Sequence, residues 1–418
     1  MVATAALLLT AITACEKERF DKEEYNKYVS YEFMIDNVDM NHEWTLTKEG
    51  TVTLKATDKT YTVQILTDDP YTSDNAEIAA EANLSPENEV TLNFTIPKIQ
   101  NQLYAAALSS SGNYLGVYPF AYGTEYIDLN NVTLTRSGTA KTPSPQQFTY
   151  CFEEDFPEPG DFDYNDIVLR IAKEKGNASY EIRLTVTLQA VGGQKQLAGA
   201  INLAGVKYDD LFRVIMEEEE PMDANYPYVH TMLEDSGPLV KGRNGEAIIY
   251  LFDDAHWAMV KDVDEDGSLL HPFINTQNPL ADEIRTSRTI TPLVRHYLIT
   301  FKDLEQARAF TFAKLDPFIL EEYNGGVWEV HTHPYKFNDV VMNIYRGNQS
   351  AYDNHVAWAI AVPKADFRYP QEGMPIGTFT NNTDFGAYYT RNHSFSEWMR
   401  DQNAANDWYL YPNLTYNY

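Results

Sequence analysis

The chain has 418 residues, 44% of them hydrophobic, which is enough to bury more than one core. A net charge of −29 argues against nucleic acid as a partner, because phosphate contacts need clustered Lys and Arg. The 29 Tyr and 20 Phe, set against few Leu-rich stretches, favour strands over helices.

The first element is an apolar run from Ala5 to Ala14, closed by Cys15 and followed at once by Glu16-Lys17-Glu18-Arg19. A bilayer span needs roughly 20 apolar residues, so this run is too short to cross and fits the apolar region of a secretory signal. Ile12-Thr13-Ala14-Cys15 resembles the lipobox of bacterial lipoproteins. That resemblance implies cleavage before Cys15 and acylation of its thiol and new amino group, making residues 1–15 the signal with its lipidated Cys. The alternative is a buried N-terminal helix. The charged stretch that ordinarily precedes such a run is missing, so Met1 reads as a late start. Only Cys151 remains once Cys15 carries lipid, which leaves no disulfide framework and no Cys-based zinc site. Residues 16–30 are charged and apolar-poor and read as an acidic tether. Acidity just after the Cys resembles signals that carry lipoproteins to the outer face of the outer membrane, which is the expected location.

Residues 31–140 show short alternating runs broken by polar turns. Thr51–Ala56, Tyr61–Leu66 and Val90–Ile96 each alternate with period two, and Tyr104–Leu108 and Leu115–Tyr118 follow. Strands at this spacing predict an immunoglobulin-like β-sandwich. Ser137 to Pro145 is rich in Ser, Thr, Gly and Pro and marks the boundary of a second domain, expected over 148–412.

That domain opens on Phe152-Glu153-Glu154-Asp155-Phe156-Pro157-Glu158-Pro159-Gly160-Asp161-Phe162-Asp163-Tyr164-Asn165-Asp166-Ile167-Val168. Alternation sets Asp161, Asp163 and Asn165 on one side and Phe162 and Tyr164 on the other, where the rings can anchor the loop to a core. Carboxylates this close repel one another unless protonated, hydrogen-bonded or bridged by a cation. Ca²⁺ takes six to eight oxygens, and Glu153, Glu154, Asp155, Asp161, Asp163, Asn165 and Asp166 are the predicted ligands. The alternative is an acidic turn whose carboxylates cap backbone amides and bind nothing.

The same run resembles the opening signature of the LruC-domain lipoproteins. Further blocks of that family follow in order: Val186–Gly192 with Leu197–Ile201, Phe252–Trp257, Pro272–Asn275 and Trp328–His331. The closing blocks are Trp358–Pro363, Phe367–Pro370, Phe395–Trp398 and Trp408-Tyr409, so the resemblance covers 150–412. One departure is Thr332-His333-Pro334, where an apolar residue is expected. The resemblance implies a mostly β surface lipoprotein with no established reaction.

Several other features carry weaker chemistry. Asp262, Asp264 and Asp266, then Gly267, imitate the start of an EF-hand loop, but position twelve is Phe273 rather than Glu. A solvated acidic turn competes with a half-formed calcium loop there. His331 and His333 would share one face of a strand, yet without a third zinc ligand they read as structural. His256-Trp257 reads as a strand end, and Gly192-Gly193 and Gly325-Gly326 as turns. Tyr164-Asn165-Asp166 is echoed by Phe337-Asn338-Asp339, most simply as the same turn chemistry used twice. No Gly-x-Ser-x-Gly elbow is present.

These observations predict a mainly β protein of two domains, an immunoglobulin-like sandwich followed by a larger LruC-like domain with few short helices. It is expected to be lipid-anchored, stabilised by Ca²⁺, and to bind a glycan or protein at the cell surface without catalysis. The competing class is a secreted glycoside hydrolase using two facing carboxylates.

Overall fold

A computed structural model describes residues 39, 42–56, 59–84, 88–154, 156, 160–217, 238–242, 244–260, 273–276, 287–323, 326–332, 357–377 and 386–418. The chain is mainly β, with few short helices. Cys15, Asp155, the acidic loop of Asp262, Asp264 and Asp266, His333, and the Phe337-Asn338-Asp339 echo lie outside the described residues.

Among the described residues seven strands build the first module: β1 (Thr47–Lys55), β2 (Thr62–Leu66), β3 (Glu77–Asn83), β4 (Glu89–Pro97), β5 (Gln102–Leu108), β6 (Tyr114–Ala121) and β7 (Tyr126–Asp128). Period-two alternation decides their faces: Val52 and Leu54 of β1, and Val90, Leu92, Phe94 and Ile96 of β4, are buried. The three-stranded sheet β4-β1-β7 shares one core with β3-β2-β5-β6, through Val63, Ile65, Leu103, Ala105 and Phe120. Each Val, Leu, Ile or Phe among them contributes roughly 1.5–3 kcal/mol when fully buried. β3, whose Ala-rich sequence carries little strand signal, pairs parallel with the next module at Glu77↔Ser144 and Ile78↔Pro145. Ser144 and Pro145, read in the sequence as linker, are therefore already strand.

The second module begins with β8 (Ser144–Phe152), β9 (Ile167–Lys175), β10 (Glu181–Ala190), β11 (Ala198–Lys207), β12 (Leu211–Met216), β13 (Leu239–Lys241), β14 (Glu246–Phe252) and α1 (Ala255–Met259). It continues with β15 (Phe273–Ile274), β16 (Ser287–Arg288), β17 (Leu293–Phe301), α2 (Leu304–Arg308), β18 (Leu315–Tyr323), β19 (Gly326–His331), β20 (Ala359–Val362) and α3 (Phe395–Arg400). One sheet runs β12-β17-β10-β9-β8 and on through β3 into the first module, with β20 also on β8. A five-stranded sheet, β13-β14-β11-β18-β19, covers its inner face. Leu169, Ile171, Leu184 and Val186 meet Ile201, Leu203, Ile249, Ile319 and Trp328 in that core.

The opposite face of β8 and β9 is buried too. Cys151, Val168 and Ile360 pack there against Phe367, Tyr388, Phe395, Trp398 and Trp408. Burial on both faces explains why Ile167-Val168-Leu169 is an unbroken apolar run. His42, Trp44 and Leu46 also belong to this environment, although they precede the first strand. The Trp44 ring meets Trp398 edge-on at 5.5 Å, and His42 Nε2 bonds the Trp398 carbonyl at 2.9 Å. Burial pushes His42 down to about 4, against that bond, so the ring is neutral.

Two local expectations change. His256-Trp257 is not a strand end: Asp254 accepts from Trp257 N at 3.2 Å and caps α1. Gly326 opens β19, pairing with Tyr323 in the β18–β19 ladder, and Gly325, the other half of the expected turn, lies outside the described residues. Among the described residues no helix is long and apolar enough to cross a membrane.

Candidate cation site at the end of the β8–β9 hairpin

The acidic run forms the connection between β8 and β9, which pair as far as Phe152↔Ile167. Glu153 leaves β8 with its N–H donated to the Trp358 carbonyl at 2.8 Å, so its position is set by the start of β20. Phe162 and Tyr164 both adopt left-handed backbone, with φ of 58° and 54°. Bulky side chains rarely accept that region, and the strain is held by burial of both rings. Tyr164 donates its hydroxyl to the Ala357 carbonyl at 2.5 Å, and Phe162 accepts Ile376 N at 2.7 Å. Burial raises the Tyr164 phenol well above its ordinary range.

With the rings pinned, the intervening carboxylates turn the other way. One ligand oxygen each from Glu153, Asp161 and Asp163 lies within 4.8 Å of the other two, and all three residues are buried. Backbone donors reach into the cluster. Glu153 accepts Tyr164 N at 2.6 Å and Phe162 N at 3.3 Å. Asp163 accepts Asn165 N at 3.0 Å and Gly373 N at 2.7 Å. Carboxylates at this spacing repel one another unless protonated, hydrogen-bonded or bridged by a cation. The arrangement is chemically suited to a hard cation, which would use lone pairs the amides leave over.

The remaining predicted ligands take other partners. Glu154 accepts Lys195 N at 2.8 Å, and Asp166 accepts Glu154 N at 2.6 Å. Lys195 Nζ meets the Glu154 carbonyl at 2.5 Å and the buried Glu321 carboxylate at 2.9 Å, tying the loop to β18. Asn165 donates Nδ2 to the Pro370 carbonyl at 3.2 Å, while its fully buried Oδ1 accepts no hydrogen bond among the described residues.

Sequence reading missed Gly373, which donates to Asp163, and Glu372, whose carboxylate lies beside Gly192; both are more than 200 residues downstream of the acidic loop and carry no local signal. It also read Gly192-Gly193 as a turn. The pair instead lies against the acidic loop, where Gly192 N donates to the Asn165 carbonyl at 2.9 Å. A Cβ at Gly192 would lie 1.7 Å from Asn165 Oδ1, and one at Gly193 would lie 2.3 Å from Glu154 Oε2. The glycines were a visible signal whose reason was not.

A second titratable group lies in the five-stranded sheet. His331 Nδ1 meets Asp316 at 2.8 Å and Nε2 meets Glu329 at 3.2 Å, with the Phe318 ring stacked on it at 4.6 Å. Burial opposes the charge, yet the two carboxylates outweigh it and raise His331 to about 10. It is a buried imidazolium clamp, which agrees with a structural histidine.

The sequence matches DUF4842, a domain of unknown function, over residues 177–409. No curated protein matches it. Among solved structures, a candidate lipoprotein from Bacteroides ovatus is similar at 14% identity, covering 86% of this chain and 99% of that chain, with a TM-score of 0.47. The matched segment contains Gly192, Gly193, Glu372 and Gly373. The hairpin connection that supplies Glu153, Asp161 and Asp163 lies just before it. Because the match spans more than half of the 418 residues, the chain belongs to the DUF4842 domain family.

Proposed function

We propose that this protein is a lipid-anchored outer-membrane protein, exposed at the surface, that works by binding. Its second module is a LruC-like domain stabilised by Ca²⁺, and the first module acts as a spacer or accessory. The observation that carries this reading is the buried convergence of Glu153, Asp161 and Asp163. Backbone amides fix the oxygens of Glu153 and Asp163, which suits cation ligation better than proton transfer. The anchor rests on the lipobox-like Ile12–Cys15, and the ligand class, glycan or protein, on the resemblance to surface lipoproteins.

Thermal unfolding of the full-length Cys15→Ser chain, with Ca²⁺ and with chelator, tests the cation. Ligand at a hundredfold excess over Kd stabilises by about 2.7 kcal/mol. Asp161→Ala and Asp163→Ala should each abolish the response. Identical scans in both conditions would reduce the loop to an amide-capping turn. Labelling with a fatty-acid analogue tests the anchor: wild type should incorporate it and Cys15→Ser should not. Equal incorporation would remove Cys15 from the argument, and a glycan-array screen of the same soluble chain addresses the ligand.

A further inference from the structure

A cavity of about 130 Å³ lies where the first module meets the second. Ile78 and Leu92 reach it from β3 and β4, Lys173 and Ile182 from β9 and β10, and Phe310 from the segment after α2. The volume is close to that of cavities that accept a six-carbon ring, and the lining is mixed, with Glu81, Lys173, Glu174, Lys175 and Arg308 beside the apolar side chains.

Lys173 occupies a position that the strand pattern assigns to an apolar residue. It follows Leu169 and Ile171 on the core-facing side of β9 and lies opposite Leu184 in register. Other charges around the cavity are already committed. Lys175 Nζ donates to Asn83 at 2.9 Å and pairs with Glu81 at 3.5 Å, and Glu81 also accepts from Gln64. Arg308 pairs with Glu305 at 2.8 Å, and Glu174 with Arg183 at 3.8 Å. Among the described residues the Lys173 side chain makes no hydrogen bond or close ion pair, and Glu81 of the same lining attracts it at longer range. Gln146, its partner across β8 and β9, keeps a buried Oε1 that accepts nothing, so the amine does not turn back to it. Burial lowers the Lys173 ammonium to about 8 against the pull of Glu81, although part of the side chain still reaches solvent.

We propose that this cavity binds a small organic carboxylate, with its oxygens on Lys173 Nζ and its hydrocarbon against Ile78, Leu92 and Phe310. A partly enclosed cation with no hydrogen-bonded counter-ion costs free energy that an anionic ligand recovers. In a chain of net charge −29 it also marks a place to which an anion is drawn locally. Both modules supply walls, so the ligand bridges them and stabilises their junction. The carboxylate arrives either as a free acid or as the end group of a longer molecule such as an acidic sugar.

The test is titration of the full-length chain with benzoate, with benzyl alcohol as the neutral match and a uronate-ended disaccharide as the second acid, followed by ligand-observed NMR. Benzoate should bind about tenfold or more tightly than benzyl alcohol. Lys173→Met should lose about tenfold or more, and Lys173→Arg should stay within about threefold of wild type. Tighter binding of the disaccharide than of benzoate identifies an acidic sugar as the source, and the reverse identifies a free acid. Where Lys173→Met fails to fold, acylation of wild-type Lys173 by an amine-reactive ester decides, and benzoate should slow it. Equal benzoate binding by wild type and Lys173→Met, no binding by folded wild type, or acylation indifferent to benzoate overturns the proposal.

Discussion

Gly192→Ala is expected to disrupt the acidic loop from outside it. The new Cβ would lie 1.7 Å from Asn165 Oδ1 and 2.8 Å from Glu372 Oε2. Asn165 cannot swing aside, because it is fully buried, donates its N–H to Asp163 at 3.0 Å and its Nδ2 to the Pro370 carbonyl at 3.2 Å. Nor can the backbone of Gly192 retreat without losing its bonds to the Asn165 and Asp166 carbonyls at 2.9 and 3.1 Å. Overpacking of this kind costs about 1–3 kcal/mol. Asn165→Ala alone loses a buried hydrogen bond, about 1 kcal/mol, but opens room for the new methyl. The double variant should therefore be less destabilised than the sum of the two singles by about 1 kcal/mol or more. Urea unfolding followed by tryptophan fluorescence reads this, since Trp44, Trp398 and Trp408 share a core with Phe162 and Tyr164. Additivity within about 0.5 kcal/mol would refute the close contact between Gly192 and the loop.

Two further outcomes are expected. His331 has a folded value of about 10 against an ordinary 6.5, so its contribution is fully present below 6.5 and fades as pH rises through 10. The urea midpoint should fall over that alkaline window, and His331→Leu should remove the dependence while costing about 3–5 kcal/mol at neutral pH, because two buried carboxylates lose their cation. An alkaline profile unchanged by His331→Leu would assign the effect elsewhere. Trp44→Ala should cost about 3–5 kcal/mol and lower the unfolding midpoint of the second module, although Trp44 precedes β1. Hydrogen exchange that speeds up only in β1–β7 would contradict that packing.

Strand content and faces were legible in the sequence wherever one side of a strand meets a core. Val52 and Leu54, or Val90 to Ile96, alternate because the pleat alternates. The aromatic–acidic alternation of Asp161 to Asn165 announced that the rings would anchor the loop, but rings and oxygens alike are buried, and left-handed backbone at Phe162 and Tyr164 rather than a strand pleat separates them. β3 was illegible because Glu77-Ile78-Ala79-Ala80-Glu81-Ala82 has no strong strand residues besides Ile78, and its place is set by β2 and β8. The joining of two modules into one sheet also lies beyond local pattern, because it rests on two register pairs between β3 and β8.

The site divides in the same way. The sequence by itself determined which residues carry oxygen, that they are crowded, and that their neighbours are aromatic, because these are properties of a short segment. Only the tertiary structure decided that Glu153 joins Asp161 and Asp163 while Glu154 and Asp166 turn to backbone amides. That sorting depends on partners distant in sequence: Trp358 fixes the exit from β8, Gly373 reaches Asp163, and Gly192 leaves room for Asn165. Hydrogen-bond and steric constraints act over a few ångströms of space, so no spacing along the chain could have stated them.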